Sequence, residues 1–182
     1  MKILVLLLLL TVPFWSIAQD DATNGYIVDA NDVKIKGTIM PAPPDRYSAK
    51  VTFKDADGQK HVYRPSEIKS WGSGETVYEA KVYKLTERTG HAVFMRRLCD
   101  GKGKLKVYQY WNTSGDQAYS QTFLEKDGVM TDVLFGRFRK FASEYFSEAE
   151  ELQAKIDSKE YKKKDLLLMV AEYNQWLELQ WK

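Results

Sequence analysis

The feature that most constrains this chain is a change in the period of its apolar residues near position 134. Up to Val133, apolar and polar residues alternate over short stretches broken by Gly, Pro, Asn and Asp; beyond it, apolar residues recur every third and fourth position. A period of two belongs to strands and one near 3.6 to helices, because successive side chains alternate across a strand but spiral around a helix. A run of strands followed by a run of helices points to an α+β fold, with the helices burying their apolar faces on the sheet. The expectation is an antiparallel meander of several hairpins, a curved sheet or partial barrel, over residues 19–133, with a helical region 134–182 packed on it in a single domain.

The strand region centres on His91 to Trp111. Ala92 to Leu98 and Leu105 to Trp111 flank Asp100-Gly101-Lys102-Gly103, whose glycines suit a tight reversal, so the stretch reads as a central β-hairpin. Before it, Gly25 to Met40 reads as a hairpin turning at Asp29-Ala30-Asn31-Asp32. Pro41 to Asp45 reads as a connector, because proline lacks the donor a ladder needs. Ala49, Val51 and Phe53 alternate with lysine and threonine as one buried strand face. The following Asp55-Ala56-Asp57-Gly58 allows two registers: a three-residue loop pairs Phe53 with His61 and Val51 with Tyr63, and a two-residue loop opposes Phe53 to Val62. Pro65 to Ile68 reads as a corner and Gly72-Ser73-Gly74 as a flexible link. Thr76 to Leu85 is a further strand, and Ala118 to Leu124 with Val129 to Val133 a last hairpin around Lys126-Asp127-Gly128. Asn112-Thr113-Ser114 fits a glycosylation sequon and reads as a turn.

In the helical region, Phe138, Phe141, Ala142 and Tyr145 form one amphipathic stripe. Ser147 with Glu150 reads as a capping box opening a second helix that carries Ala149, Leu152 and Ile156. Leu166, Met169, Val170, Tyr173 and Leu177, with Trp176 beside them, mark a third.

The N-terminus carries Lys2, then an apolar run from Ile3 to Leu10 extended through Trp15, then the small residues Ser16 and Ala18. Those are the parts of a secretory signal peptide, expected to be cleaved after Ala18 or Gln19. Its loss removes one of 27 basic residues and none of the 25 acidic ones, leaving 26 against 25, a net charge of +1. So balanced a chain argues against nucleic acid as the partner, and Lys162-Lys163-Lys164 reads as a solvated helix end. The only cysteine, Cys99, cannot form an internal disulfide and reads as a small apolar residue at a strand end.

Motifs that would carry chemistry fail on spacing. With Gly58 at the sixth position of a calcium loop, the first ligand position falls on Phe53 and the bidentate-glutamate position on Arg64. Gly101-Lys102-Gly103-Lys104 lacks the spacing and terminal hydroxyl of a phosphate loop. No flanking motif joins Cys99 to His91 or His61 as a nucleophile and base. No catalytic residue, cofactor site or metal site is assigned. The candidate interaction surface is Tyr108, Tyr110 and Trp111, since tyrosine offers apolar area with a polar tip.

Several stretches together carry a resemblance: Gly25-Tyr26-Ile27, Lys36-Gly37-Thr38-Ile39, Val51-Thr52-Phe53-Lys54, Tyr63 with Pro65 to Ile68, Asp100-Gly101 with Leu105 and Tyr108, Phe141, Tyr145-Phe146, Leu152, Ile156, Asp165-Leu166 and Tyr173-Asn174. The chain resembles a family of exported Bacteroidota-type envelope proteins of unknown function. Ser147-Glu148-Ala149 stands where that group often carries Asp-Cys-Pro, so no thiol role carries over there. The resemblance implies a periplasmic, surface or extracellular protein and brings no catalytic residues with it. The leading expectation is therefore a non-enzymatic binding or assembly module of the envelope, its partner a protein or a glycan, with no stable membrane span once the leader is gone. The alternatives are a carrier of a small apolar ligand inside a curved sheet, and a hydrolase using two of Asp100, Asp116, Glu125, Asp127 and Asp132.

Overall fold

The computed structural model describes residues 23–84, 90–99, 102–114 and 117–180; the expected leader, Leu85, Asp100, Gly101 and Asp116 lie outside the described residues. Ten strands are described: β1 (Thr23–Asp29), β2 (Lys34–Ile39), β3 (Val51–Lys54), β4 (Lys60–Tyr63), β5 (Ile68–Ser73), β6 (Thr76–Lys84), β7 (Gly90–Arg97), β8 (Leu105–Ser114), β9 (Gln117–Lys126) and β10 (Val129–Asp132). They form one antiparallel sheet in the order β10-β9-β8-β7-β6-β5-β1-β2-β3-β4, open at β10 and β4. Helix α1 (Pro44–Ala49) interrupts the strands, and α2 (Phe138–Tyr145), α3 (Glu150–Asp157) and α4 (Leu166–Leu179) follow them.

Two hairpins turn on the same local chemistry. Asp29 Oδ1 accepts the N–H groups of Asn31 and Val33, both at 2.8 Å, and Asp55 Oδ1 accepts those of Asp57 and Gln59 at 3.0 and 2.8 Å. Each loop ends in a left-handed residue, Asp32 at φ 66° and Gly58 at φ 81°. A loop of three residues closed in this way fixes the register of the returning strand. Phe53 accordingly faces His61 and Val51 faces Tyr63, so the longer of the two loops is the one formed.

Three local expectations give way to tertiary contacts. Ala49 ends α1 and does not start a strand, because Pro44 at the first helical position presets the helical φ and Tyr47 fastens the helix through its hydroxyl to Ala42 N–H and Met40 O. Gly72 and Ser73 belong to β5 and only Gly74 turns; a Cβ on Gly72 would meet the Tyr26 ring at 2.7 Å, so that glycine serves a close approach and not flexibility. Asn112 to Ser114 end β8, paired with Tyr119, Ala118 and Gln117, and do not form the turn their composition suggests.

The capping box also does not form. Ser147 Oγ donates to Glu144 O, and α3 starts after Ala149 without a side-chain cap. Phe146 and Ala149 are both buried, and Ala149 N–H donates to Phe146 O at 3.0 Å, so packing of the link sets the helix entry.

The sheet is curled twice. From Tyr63 to Ile68 the chain takes five Cα steps, at most about 18 Å, yet β4 and β5 lie four strand spacings apart, about 19 Å if flat. Strands β1 to β5 therefore wrap around Ile27, Ile39, Val51, Phe53 and Trp71, with Tyr47 of α1 against Trp71 and Tyr78. The second curl lies at the central hairpin. Its two strands pair at Arg96 with Gln109 and Arg97 with Tyr108, and Leu98 N–H donates to Val107 O at 2.8 Å beside them, while β8 pairs along its whole length with β9. On the side away from the loop β7 and β8 part, and α1 lies against both.

The apolar parities of β8 consequently go to different layers. Leu105 and Val107 meet Phe146, Leu152, Met169 and Tyr173 of the helical region, whereas Tyr108 and Tyr110 turn the other way onto Met95 and Phe123. Asn174 of α4 ties the helices to the sheet: its Oδ1 accepts Leu105 N–H at 2.8 Å and its Nδ2 donates to Leu105 O at 2.9 Å. A Cβ on Gly103 would lie 2.1 Å from that amide, which explains the glycine there. Asn174→Ala is expected to cost about 2 kcal/mol, since two half-buried backbone groups lose their partners. That corresponds to roughly 4–8 °C in Tm for a chain of this size. A thermal melt unchanged within a degree would refute the clamp.

Candidate functional site

The fold-over at β7 and β8 brings charged residues from distant strands together. Glu79 and Lys81 alternate with Tyr78 and Ala80 along β6, so they project from the face opposite the aromatic cluster. On a flat sheet β6 and β9 would lie about 14 Å apart, three strand spacings. Here Lys81 Nζ reaches both carboxylate oxygens of Glu125 on β9, at 2.9 and 2.8 Å, which the curl alone makes possible.

The contact belongs to a chain. Arg97 Nη1 meets Glu79 Oε1 at 2.5 Å, Tyr108 Oη donates to Glu79 Oε2 at 2.6 Å, and Lys81 Nζ sits 3.2 Å from the same oxygen and 4.5 Å from the Tyr108 ring centroid. The side chains of Glu79, Lys81 and Glu125 are 15–17% exposed, so these charges hold one another in a largely dry fold. Burial raises the carboxyl of Glu79, but the hydrogen bond from Tyr108 and the charge of Lys81 outweigh it and hold the group below its ordinary range. Burial, and then the adjoining Glu79 carboxylate, push the Tyr108 hydroxyl well above its ordinary range.

The outer end of this chain opens on a cleft of about 470 Å³ between the β7–β8 loop and the β9–β10 turn. Its walls carry Lys81, Lys102, Lys104 and Lys106 against Glu125 and Asp127. Lys81 is the lysine at its base, held by Glu125 and Glu79. Glu125, the cross-strand neighbour of Lys106, gives both oxygens to Lys81. Lys106 itself makes no ion pair among the described residues.

A second recess, also about 470 Å³, lies where β10 leaves the sheet. Ser120, Gln121, Asp132 and Arg137 rim it, and Leu134 and Phe135 stand beside it 53% and 41% exposed. Val133 N–H donates to Thr122 O, so Thr122 points its backbone polar groups toward β10. Two and four residues earlier, Ser120 and Ala118 must point theirs the same way. There β10 has already ended, and their N–H and C=O groups lie on an open edge. Gln121 Oε1 is buried without a donor, and burial pushes the Asp132 carboxyl up.

Two further charged clusters fasten the helices. Lys126 of β9 donates to Tyr173 Oη at 2.6 Å and pairs with Glu148, to which Tyr173 also donates. Burial, followed by the Glu148 hydrogen bond, pushes the Tyr173 hydroxyl up to about 12. Lys155 and Tyr161 share Glu172 in the same manner, each at 2.7 Å.

Of the residues singled out from sequence, Tyr108 is fully buried, Tyr110 is 8% exposed and Trp111 is half-buried. Tyr108 thus enters the site through its hydroxyl and not as open surface. Cys99 is tied locally: Val107 N–H donates to its Sγ at 3.4 Å and Arg97 Nε to its carbonyl. His91 lies at the far end of β7, about 25 Å along extended chain, and His61 is bound to Asp55 at 2.7 Å. Neither arrangement makes a Cys–His pair. Glu125 and Asp127 share the lysine cleft while Asp132 lies at the other recess. Among the described residues no group of three or more His, Cys, Asp or Glu is placed to hold a metal ion, and no helix is long and apolar enough to cross a membrane.

Sequence reasoning passed over Glu79, Lys81 and Arg97. The available signal was the Glu79-x-Lys81 alternation inside a strand whose other face is aromatic, a pattern equally expected of a solvated face. Comparison with protein families, curated proteins and solved structures finds no match to this chain.

Proposed function

We propose that this protein is an exported binding module of the cell envelope, without enzymatic activity, that takes an extended segment of a partner protein along the open edge of β9. The carrying observation is the recess at the end of β10. An exposed sheet edge supplies main-chain hydrogen bonds to an added strand, and an adjoining pocket selects its side chains. Ala118 and Ser120 offer the edge, Leu134 and Phe135 the apolar contact, and Gln121 Oε1 and Asp132 acceptors for a donor-bearing side chain. The leader-like N-terminus and the resemblance to envelope proteins supply the compartment in this reading. The carboxylates of the buried chain are committed to Lys81 and Arg97, which favours a scaffolding role for them over acid–base chemistry.

A photo-crosslinker placed at Phe135 in cells is expected to give one discrete adduct, and the same group at Lys140 none. Ser120→Pro removes an outward N–H without touching the β8 ladder, and it is expected to abolish the adduct while leaving the melting temperature within about 3 °C. Equal adducts from both positions, or an adduct indifferent to Ser120→Pro, would sink the reading. The export part is checked by the N-terminal mass of the mature chain, which should begin at Gln19 or Asp20.

A further inference from the structure

The three lysines ahead of α4 play no part in the sites above, and neither do the leucines that follow them. α4 opens on five consecutive apolar residues, Leu166 to Val170, more than a helix covered on one side can bury. Leu166, Met169 and Val170 enter the core, while Leu167 and Leu168 stand 46% and 58% exposed. We propose that this end of α4 docks on a membrane: Lys162, Lys163 and Lys164 meet the headgroups of an anionic lipid bilayer, and Leu167 and Leu168 sink into its surface.

Charge and position together carry the assignment. Lys162, Lys163 and Lys164 are exposed, and their ammonium groups make no ion pair among the described residues. The acids around them have other work: Asp165 accepts Lys162 N–H at 3.0 Å, Glu172 holds Lys155 and Tyr161, and Glu160 stands near that same pair. Cations ahead of a helix are also locally unfavourable, because the helix N-terminus is the positive end of its dipole. Helix stability therefore does not account for the three lysines, whereas an anionic surface does.

The leucines decide which anionic surface. Lys163 and Lys164 precede Leu167 and Leu168 by four residues each, a spacing that sets side chains beside one another on a helix. Cations next to apolar side chains match phosphate headgroups lying over acyl chains. An acidic protein face would satisfy the lysines and leave the leucines wet. A second copy, meeting this patch about a two-fold axis, would set lysines against lysines.

The test is co-sedimentation of the mature chain with lipid vesicles, the apolar leader being left off because it would itself bind lipid. Retention is expected on mixed phosphatidylglycerol and phosphatidylcholine vesicles, not on phosphatidylcholine alone, and should fall as salt rises. Lys162→Gln/Lys163→Gln/Lys164→Gln should weaken it about a hundredfold, with a melting temperature no lower than that of the wild type, since the helix dipole is relieved. Leu167→Ser/Leu168→Ser should weaken it about tenfold, and Lys140→Gln, an exposed lysine of α2, should leave it unchanged. Equal retention on both kinds of vesicle, or wild-type retention in either multiple variant, overturns the proposal. So does absence of retention: binding to polyglutamate that the lysine variant loses would then assign an acidic protein, and a dimer that the leucine variant breaks would assign a second copy. None of these readouts depends on the β9 edge, so the two readings stand or fall separately.

Discussion

Trp71→Ala is expected to destabilise the fold by about 3–5 kcal/mol, the cost of emptying a large aromatic site in a core. Trp71 is 2% exposed, lies flat on Tyr78 with ring centroids 4.2 Å apart, touches Tyr47 at 4.7 Å and meets the edge of Phe94 at 6.3 Å. It stands opposite Ile27 on β1 and Tyr78 on β6, so it joins the curled half of the sheet to the strands that fold over. Against a typical total of roughly 5–15 kcal/mol, the loss leaves little of the native state. Trp71→Phe is a sharper comparison. It keeps a stacking ring and removes an indole N–H that is buried without an acceptor, which offsets part of the lost volume. Its cost is expected to stay below about 2 kcal/mol. Urea midpoints at constant slope measure both. Equal losses for Ala and Phe would show that the site depends on the indole and not on ring packing.

Glu79→Gln is expected to cost about 2–4 kcal/mol at pH 7. Breaking a fully buried ion pair by removing one partner typically costs about 3–5 kcal/mol, and the partial exposure of this cluster lowers the figure. The substitution keeps the shape but leaves Arg97 and Lys81 facing an uncharged amide.

The direction of the Glu79 shift sets the pH dependence. Glu79 titrates below its ordinary 4.5 in the folded protein, so its contribution is complete above about pH 4.5 and is lost as the pH falls through the folded value. The wild type should therefore lose stability more steeply than Glu79→Gln as the pH falls below about 4.5, and the two curves should converge in acid. Parallel curves across that range would mean that the carboxylate is not charged in the fold. Denaturation midpoints measured at intervals of half a pH unit decide it.

Some of this architecture is legible because it is encoded over a few residues. The change of period near residue 134 separates strands from helices, and the alternation around Val51 and Phe53 predicts the buried face that the structure shows. The stripe of Leu166, Met169, Val170, Tyr173 and Leu177 likewise marks the side of α4 that packs on Leu105 and Val107. Local signals mislead where a distant contact outweighs them. Ser147 and Glu150 have the spacing of a capping box, yet burial of Phe146 and Ala149 fixes the helix entry first.

The candidate sites lie almost wholly on the side that sequence cannot reach. Glu79, Lys81, Arg97, Tyr108 and Glu125 come from four strands, and nothing in their spacing says that β7 and β8, joined only near the loop of the central hairpin, will let the sheet double over. The open edge of β9 likewise depends on β10 stopping at Asp132 while β9 runs past it. By itself the amino-acid sequence determined the division near residue 134 into a mainly stranded and a helical part, the turns at Asp29 and Asp55 and the buried faces of β3 and α4, because backbone geometry and side-chain period act over neighbouring residues. Tertiary structure alone decided which buried faces meet and which charges end up together, because curling sums small twists over ten strands and brings residues forty positions apart into contact.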